Sequence, residues 1–148
     1  MKLRALVLDD SRIMRNMIKR TLEQANLAEF EFTEAGDGLG GLELFNTHEF
    51  DILFVDWNMP QMTGIDFVIR VRADQNANNI PIVMVTSEKT MEKVKVALDE
   101  AGANVFISKP FTVSEMKFKL TPLLESIATP QSSTYSYDFF GKLAGGEK

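Results

Sequence analysis

The 148-residue chain contains no cysteine. That excludes a disulfide framework and any thiolate metal centre, and it fits a reducing, cytoplasmic setting. No excess of basic charge is present either. The formal net charge of −5 and a pI near 4.9 argue against a nucleic-acid phosphate backbone as the partner. Long hydrophobic runs are also missing. The apolar opening at residues 3–8 is cut by Asp9-Asp10, far short of a signal peptide or a membrane span, so no membrane insertion is expected. Histidine is scarce. His48, the sole imidazole, falls near the end of a helical segment, where it favours the dipole, and no catalytic role is expected of it.

What is present fits one soluble domain. With 45% hydrophobic and 25% charged residues, a chain of this length buries roughly two-thirds of its unfolded surface. Short apolar or β-branched runs at 5–8, 30–33, 52–55, 82–85 and 105–107 alternate with helix-period segments. Runs of this kind read as strands buried on both faces of a parallel sheet.

The intervening helices present apolar faces of Met14, Met17, Ile18 and Leu22; of Leu39, Leu42 and Phe45; of Ile65, Val68 and Ile69; of Met91, Val94 and Leu98; and of Met116, Leu120, Leu124 and Ile127. Thr63 is placed to cap the third helix and Gly102 to end the fourth. Thr112-Val-Ser-Glu115 forms a capping box for the fifth, which Pro122 should bend or shorten. Short links between alternating elements imply an α/β fold, a doubly wound five-stranded parallel sheet. Residues 1–128 form this domain. The tail 129–148 opens on a polar linker and carries Tyr135, Tyr137, Phe139 and Phe140.

Polar groups sit where four of the strands end. Asp9 and Asp10 follow the first, Asp56 the third, Thr86 closes the fourth, and Lys109 lies just past the fifth. In a doubly wound sheet these tips share one edge, where ligands bind. Three converging carboxylates repel, and one pKa should rise unless a cation neutralises them. A hard divalent cation such as Mg²⁺ suits an all-oxygen set of this kind. Mg²⁺ and Lys109 together would screen an incoming phosphoryl group and let Asp56 act as nucleophile, with Thr86 donating to the product. Taken singly, Asp9-Asp10 reads as a helix cap and Lys109 as a solvated charge; it is the set that points to chemistry.

Leu8-Asp-Asp10, Glu34-Ala-Gly-Asp-Gly38, Asp56-Trp-Asn-Met-Pro60 with Gly64, Met84-Val-Thr-Ser-Glu88, Ala101-Gly-Ala103 and Lys109-Pro-Phe-Thr112 together cover residues 3–127. In their order and spacing the chain resembles the receiver domains of bacterial two-component regulators, most closely the stand-alone chemotaxis group. The resemblance implies a flavodoxin-like (βα)5 strand order. It further implies Asp56 as phosphoacceptor, supplied by a histidine kinase or phosphotransfer protein. Asp10, Asp56 and the Asn58 carbonyl would hold Mg²⁺ directly, with Asp9 acting mainly through water.

By the same resemblance Lys109 pairs with the phosphoryl group, and Thr86 with Phe106 forms the switch. Phe106 departs from the tyrosine usual in chemotaxis proteins. Asn58 and Glu88 tune dephosphorylation, and Lys109-Pro110 is often cis. The output is expected to be binding of a protein target on the face of the fourth helix, fifth strand and fifth helix, where Lys93, Lys95, Lys117 and Lys119 suit an acidic segment. The alternative output is a phosphate sink or an adaptor in another phosphorelay. An aspartyl phosphohydrolase is disfavoured, because its second acid would stand where Asn58 does. A receiver degenerated into a scaffold is disfavoured by the intact acidic set. Trp57 is expected to be half exposed.

Overall fold

The computed structural model of the chain describes residues 1–77 and 79–128. Strands β1 (Lys2–Leu8), β2 (Glu29–Ala35), β3 (Ile52–Val55), β4 (Ile82–Thr86) and β5 (Val105–Ser108) alternate with helices α1 (Arg12–Ala25), α2 (Gly38–Thr47), α3 (Gly64–Ala73), α4 (Met91–Lys95) and α5 (Val113–Ala128). Every strand pairing is parallel, in the order β2-β1-β3-β4-β5. After β2 the chain crosses to the other side of β1, so the switch in winding falls between β1 and β3. There the carboxyl ends of the strands leave a crevice. The doubly wound, flavodoxin-like fold is as expected; the tail at 129–148 lies outside the described residues.

Alternation along the strands sorts the core into two layers. Leu6, Leu8, Leu53, Val55, Ile82 and Met84 pack toward α3, with Phe67, Val68 and Val71 among their neighbours. Ala5, Val7, Ile52, Phe54, Val83 and Val85 pack toward α1 and α5, against Ile18, Leu22, Met116, Leu120 and Leu124. Burying a large aliphatic or aromatic side chain contributes about 1.5–3 kcal/mol, so these two layers hold the sheet edge in place beneath the site.

The helix starts follow from their capping residues. The side chains of Ser11, Asp37, Thr63 and Thr90 each accept a backbone N–H from the first turn. Thr112 and Glu115 exchange bonds as a capping box at 2.9 and 3.0 Å.

Four apolar-face assignments need correction. Met17, Leu39, Ile69 and Met91 are exposed, Met91 at 87%. Each lies at the margin of its helical stripe, where a period of 3.6 residues does not locate the boundary. Pro122 does not shorten α5, which runs to Ala128. Pro122 and Phe118, one turn earlier, both lie on the exposed side, so the carbonyl that loses its partner there faces water. α4 continues as a π-helical segment, Val96–Ala101, and stops at Gly102, whose φ of 95° suits glycine.

Candidate functional site

The chain turns sharply at the carboxyl tips of β1, β3, β4 and β5, and each turn presents a polar group to one crevice. Asp56 leaves β3 with its N–H on the Leu8 carbonyl at 2.9 Å. Gly64 opens α3 directly beneath it: a Cβ there would lie 1.9 Å from the Asp56 carbonyl oxygen, so only glycine permits the approach. Lys109 is drawn in by its N–H on the Thr86 carbonyl at 2.9 Å, just before the cis Lys109-Pro110 bond.

Carboxylate oxygens of Asp9, Asp10 and Asp56 come within 4.8 Å of one another. Lys109 Nζ lies 2.7 Å from Asp9 Oδ2 and 3.6 Å from Asp56 Oδ2. Asp9 and Asp56 are buried, as is Thr86. Asp10 is exposed at the mouth. Neither Asp9 nor Asp10 caps α1. Ser11 does, and its own N–H donates to Asp9 Oδ1 at 2.9 Å.

Burial raises the pKa of Asp56 above 3.8, and the neighbouring Asp9 charge adds to the rise. The Lys109 ammonium opposes it most, followed by the Thr86 hydroxyl and the Asn58 backbone N–H. Among the described residues, Asp56 Oδ1 is the one buried side-chain polar atom without a hydrogen-bond partner. A buried carboxylate oxygen left in this way costs about 1–3 kcal/mol. The donor set is all oxygen with one unsatisfied, inward-facing atom, and this fits a hard divalent cation.

Asn58 Nδ2 donates to Glu88 Oε2 at 3.1 Å, which closes the outer rim between the β3–α3 and β4–α4 turns. The Glu88 N–H reaches Thr86 Oγ1 at 3.3 Å. Phe106, paired with Met84 across the sheet, is 5% exposed and belongs to the core. Trp57 corrects the sequence-based expectation. It is 9% exposed, and Lys93 Nζ lies 4.6 Å from its ring centroid, a cation–π contact that holds it in.

Lys93 is thereby engaged, and Lys119 donates to the Phe106 carbonyl at 3.1 Å. Lys95 and Lys117 are exposed. One residue that sequence reasoning passed over touches the site, and it is braced by Glu34, which the Glu34-Ala-Gly-Asp-Gly38 motif contains without a role. Arg15 Nη1 donates to the Asp9 carbonyl at 2.6 Å and Nε to Glu34 Oε1 at 2.9 Å. Their sequence signal was a basic pair at i, i+4 (Arg15 and Lys19) with an acid near the end of the next strand.

A chain with this fold and this acidic crevice matches the response regulator receiver domain model over residues 5–121. It is 37% identical over 125 residues to the chemotaxis protein CheY of Pseudomonas aeruginosa, covering 84% of this chain and 98% of that one. Among solved structures it is similar to the Vibrio cholerae chemotaxis protein CheY4, with TM-score 0.69 and 34% identity over 84% of this chain and 98% of that one. It also resembles the receiver domain of a Pseudomonas aeruginosa sensor histidine kinase solved with a magnesium ion in its active-site cleft. That likeness has TM-score 0.71 and 21% identity over 86% and 99% of the two chains, and shows the fold alone. The chain belongs to the response regulator receiver family and is CheY-like. Two-component signalling is the context of that family, and chemotaxis is that of its named relatives. Among the described residues no helix is long and apolar enough to cross a membrane.

Proposed function

We propose that this chain is a phosphorylation switch of a cytoplasmic two-component pathway. Asp56 takes a phosphoryl group from a histidine kinase or phosphotransfer protein, and the product binds a protein target. The observation that carries this reading is the orphaned Asp56 Oδ1, buried among three carboxylates beside one ammonium. Asp10, Asp56 and the Asn58 carbonyl would hold Mg²⁺, with Asp9 acting through water. When bound, the ion supplies positive charge at the transferring phosphoryl oxygens.

The chain's own groups do the rest. Asp56 attacks the phosphorus in line, the bond to the donor breaks, and its electron pair leaves with the donor. Lys109, now on Asp9, is within reach to follow the charge to the phosphoryl oxygens. The Thr86 hydroxyl, already bound by the Glu88 N–H, can donate to a phosphoryl oxygen. Asn58 and Glu88, bonded across the rim, control the approach of water and set a short-lived acyl phosphate; a lifetime of hours contradicts this.

The inward Phe106 side chain is the element whose population the Thr86 movement biases on the α4–β5–α5 face. The exposed Lys95 and Lys117 on that face suit an acidic target. Lacking a hydroxyl, Phe106 leaves open a second output: a phosphate sink or adaptor in another phosphorelay. Incubation with acetyl phosphate and Mg²⁺ should add one phosphoryl group, and neither D56A nor chelated wild type should gain it. Unchanged labelling of D56A contradicts the assignment. Capture of a target that requires Mg²⁺ and phosphodonor separates a binding switch from a sink.

A further inference from the structure

An ion-pair network reaches the acidic crevice from behind and is not explained by the phosphoryl chemistry itself. Arg15 stands one turn into α1 with its side chain only 16% exposed. Its guanidinium bridges two elements: Nη1 donates to the Asp9 carbonyl at 2.6 Å, and Nε to Glu34 Oε1 at 2.9 Å. Glu34, near the end of β2, is gripped from the other side by Lys19. The Asp9 carbonyl oxygen and the Asp10 nitrogen belong to one rigid peptide plane. Fixing that oxygen therefore fixes the direction in which Asp10 leaves the loop. The rest of Asp9 is tied as well, by its N–H on the Ala35 carbonyl at 3.2 Å and by Oδ1 on the Ser11 N–H. Asp10 itself is exposed, so its placement depends on the plane behind it.

We propose that Arg15, braced by Glu34 and Lys19, is a positioning residue for the divalent-cation site, holding the Asp9–Asp10 peptide so that both carboxylates face Asp56. The proposal rests on the Mg²⁺ reading above. It also has a sign that simple electrostatics does not share. A guanidinium held on the Asp9 carbonyl brings positive charge to the back of the site and repels a second cation, so charge alone predicts that removing it tightens metal binding. Positioning predicts the reverse, because residues that orient metal ligands typically change affinity about 10–100-fold when lost.

The experiment is Mg²⁺ titration by calorimetry on the full chain as wild type, Arg15→Met and Glu34→Gln, with a melting curve for each. Arg12→Met, an exposed arginine on the same helix, serves as the charge control. Arg15→Met and Glu34→Gln should each bind Mg²⁺ about tenfold more weakly, with labelling by acetyl phosphate recovering at saturating Mg²⁺. Arg12→Met should bind no more weakly than wild type. Equal or tighter binding by Arg15→Met overturns the positioning role, even if its melting temperature falls, since a merely structural residue would lower stability alone. Should Arg15→Met fail to fold, Arg15→Lys decides by the same criterion, because it keeps the positive charge but cannot bridge the Asp9 carbonyl and Glu34 together. A wild type that binds no Mg²⁺ overturns the metal reading itself, which is a separate failure.

Discussion

Replacing Asp56 by Asn should make the metal-free protein more stable at neutral pH. The Asp56 side chain is 7% exposed and one of its oxygens has no partner. Burial foremost, and then Asp9, outweigh the attraction of Lys109 at 3.6 Å, so the folded pKa stands above 3.8. The folded chain thus holds this proton more tightly than the unfolded chain. Stability is undiminished below pH 3.8, declines as pH rises past it, and carries the whole penalty once pH exceeds the raised folded value. Asparagine keeps the shape without the charge, and Lys109 keeps Asp9 at 2.7 Å.

The gain should be about 1–3 kcal/mol, the cost of an unsatisfied buried polar group. That is about 4–12 °C in Tm for a domain of this size. The assay is thermal or urea unfolding of wild type and Asp56→Asn in EDTA, from pH 7 downward. Glu34 and Asp51, whose pKa values are lowered chiefly by bonds from Lys19 and Arg4, lose their contributions equally in both proteins. The difference between the two proteins is therefore the quantity to read. It should shrink on acidification, and saturating Mg²⁺ should stabilise wild type preferentially. A less stable Asp56→Asn at pH 7, or a gap that acid leaves unchanged, refutes the reasoning.

Two backbone positions beside the site make further tests. Gln61 has a φ of 70°, and the Met62 N–H reaches the Pro60 carbonyl at 2.7 Å across it. Gln61→Val should cost about 1–2 kcal/mol in urea unfolding while Gln61→Gly should not; equal losses contradict the strain. Gly64→Ala drives its methyl into the Asp56 carbonyl. It should destabilise by about 3 kcal/mol and weaken Mg²⁺ binding, which a wild-type melting curve and titration would rule out.

Much of this fold and site could be read from the sequence because buried strands carry their burial in composition. β3 was placed to the residue, and β4 and β5 to within one at their ends. The sequence marks β2 only at its apolar centre, because this edge strand begins on the exposed Glu29 and carries Glu34 near its end. The tips holding Asp9, Asp56, Thr86 and Lys109 follow from the strands, since a polar group at the end of an apolar run marks where the chain leaves the sheet. Features set by backbone geometry or by long-range pairs left no such trace. The π winding of Val96–Ala101 changes hydrogen-bond partners without altering the apolar pattern. Nothing in the identity of Gln61 announces a left-handed φ. Trp57 joins the core cluster with Lys93 reaching over its ring from α4, and Arg15 meets Glu34 only once β1 and β2 are paired.

The most direct test is chemical mapping of the acceptor. The chain is incubated with acetyl phosphate and Mg²⁺, reduced with borohydride, and sequenced by mass spectrometry. The account predicts that residue 56 alone becomes homoserine, because only an acyl phosphate on that carboxyl is reducible to the alcohol. Homoserine at position 9 or 10, or at none, contradicts it.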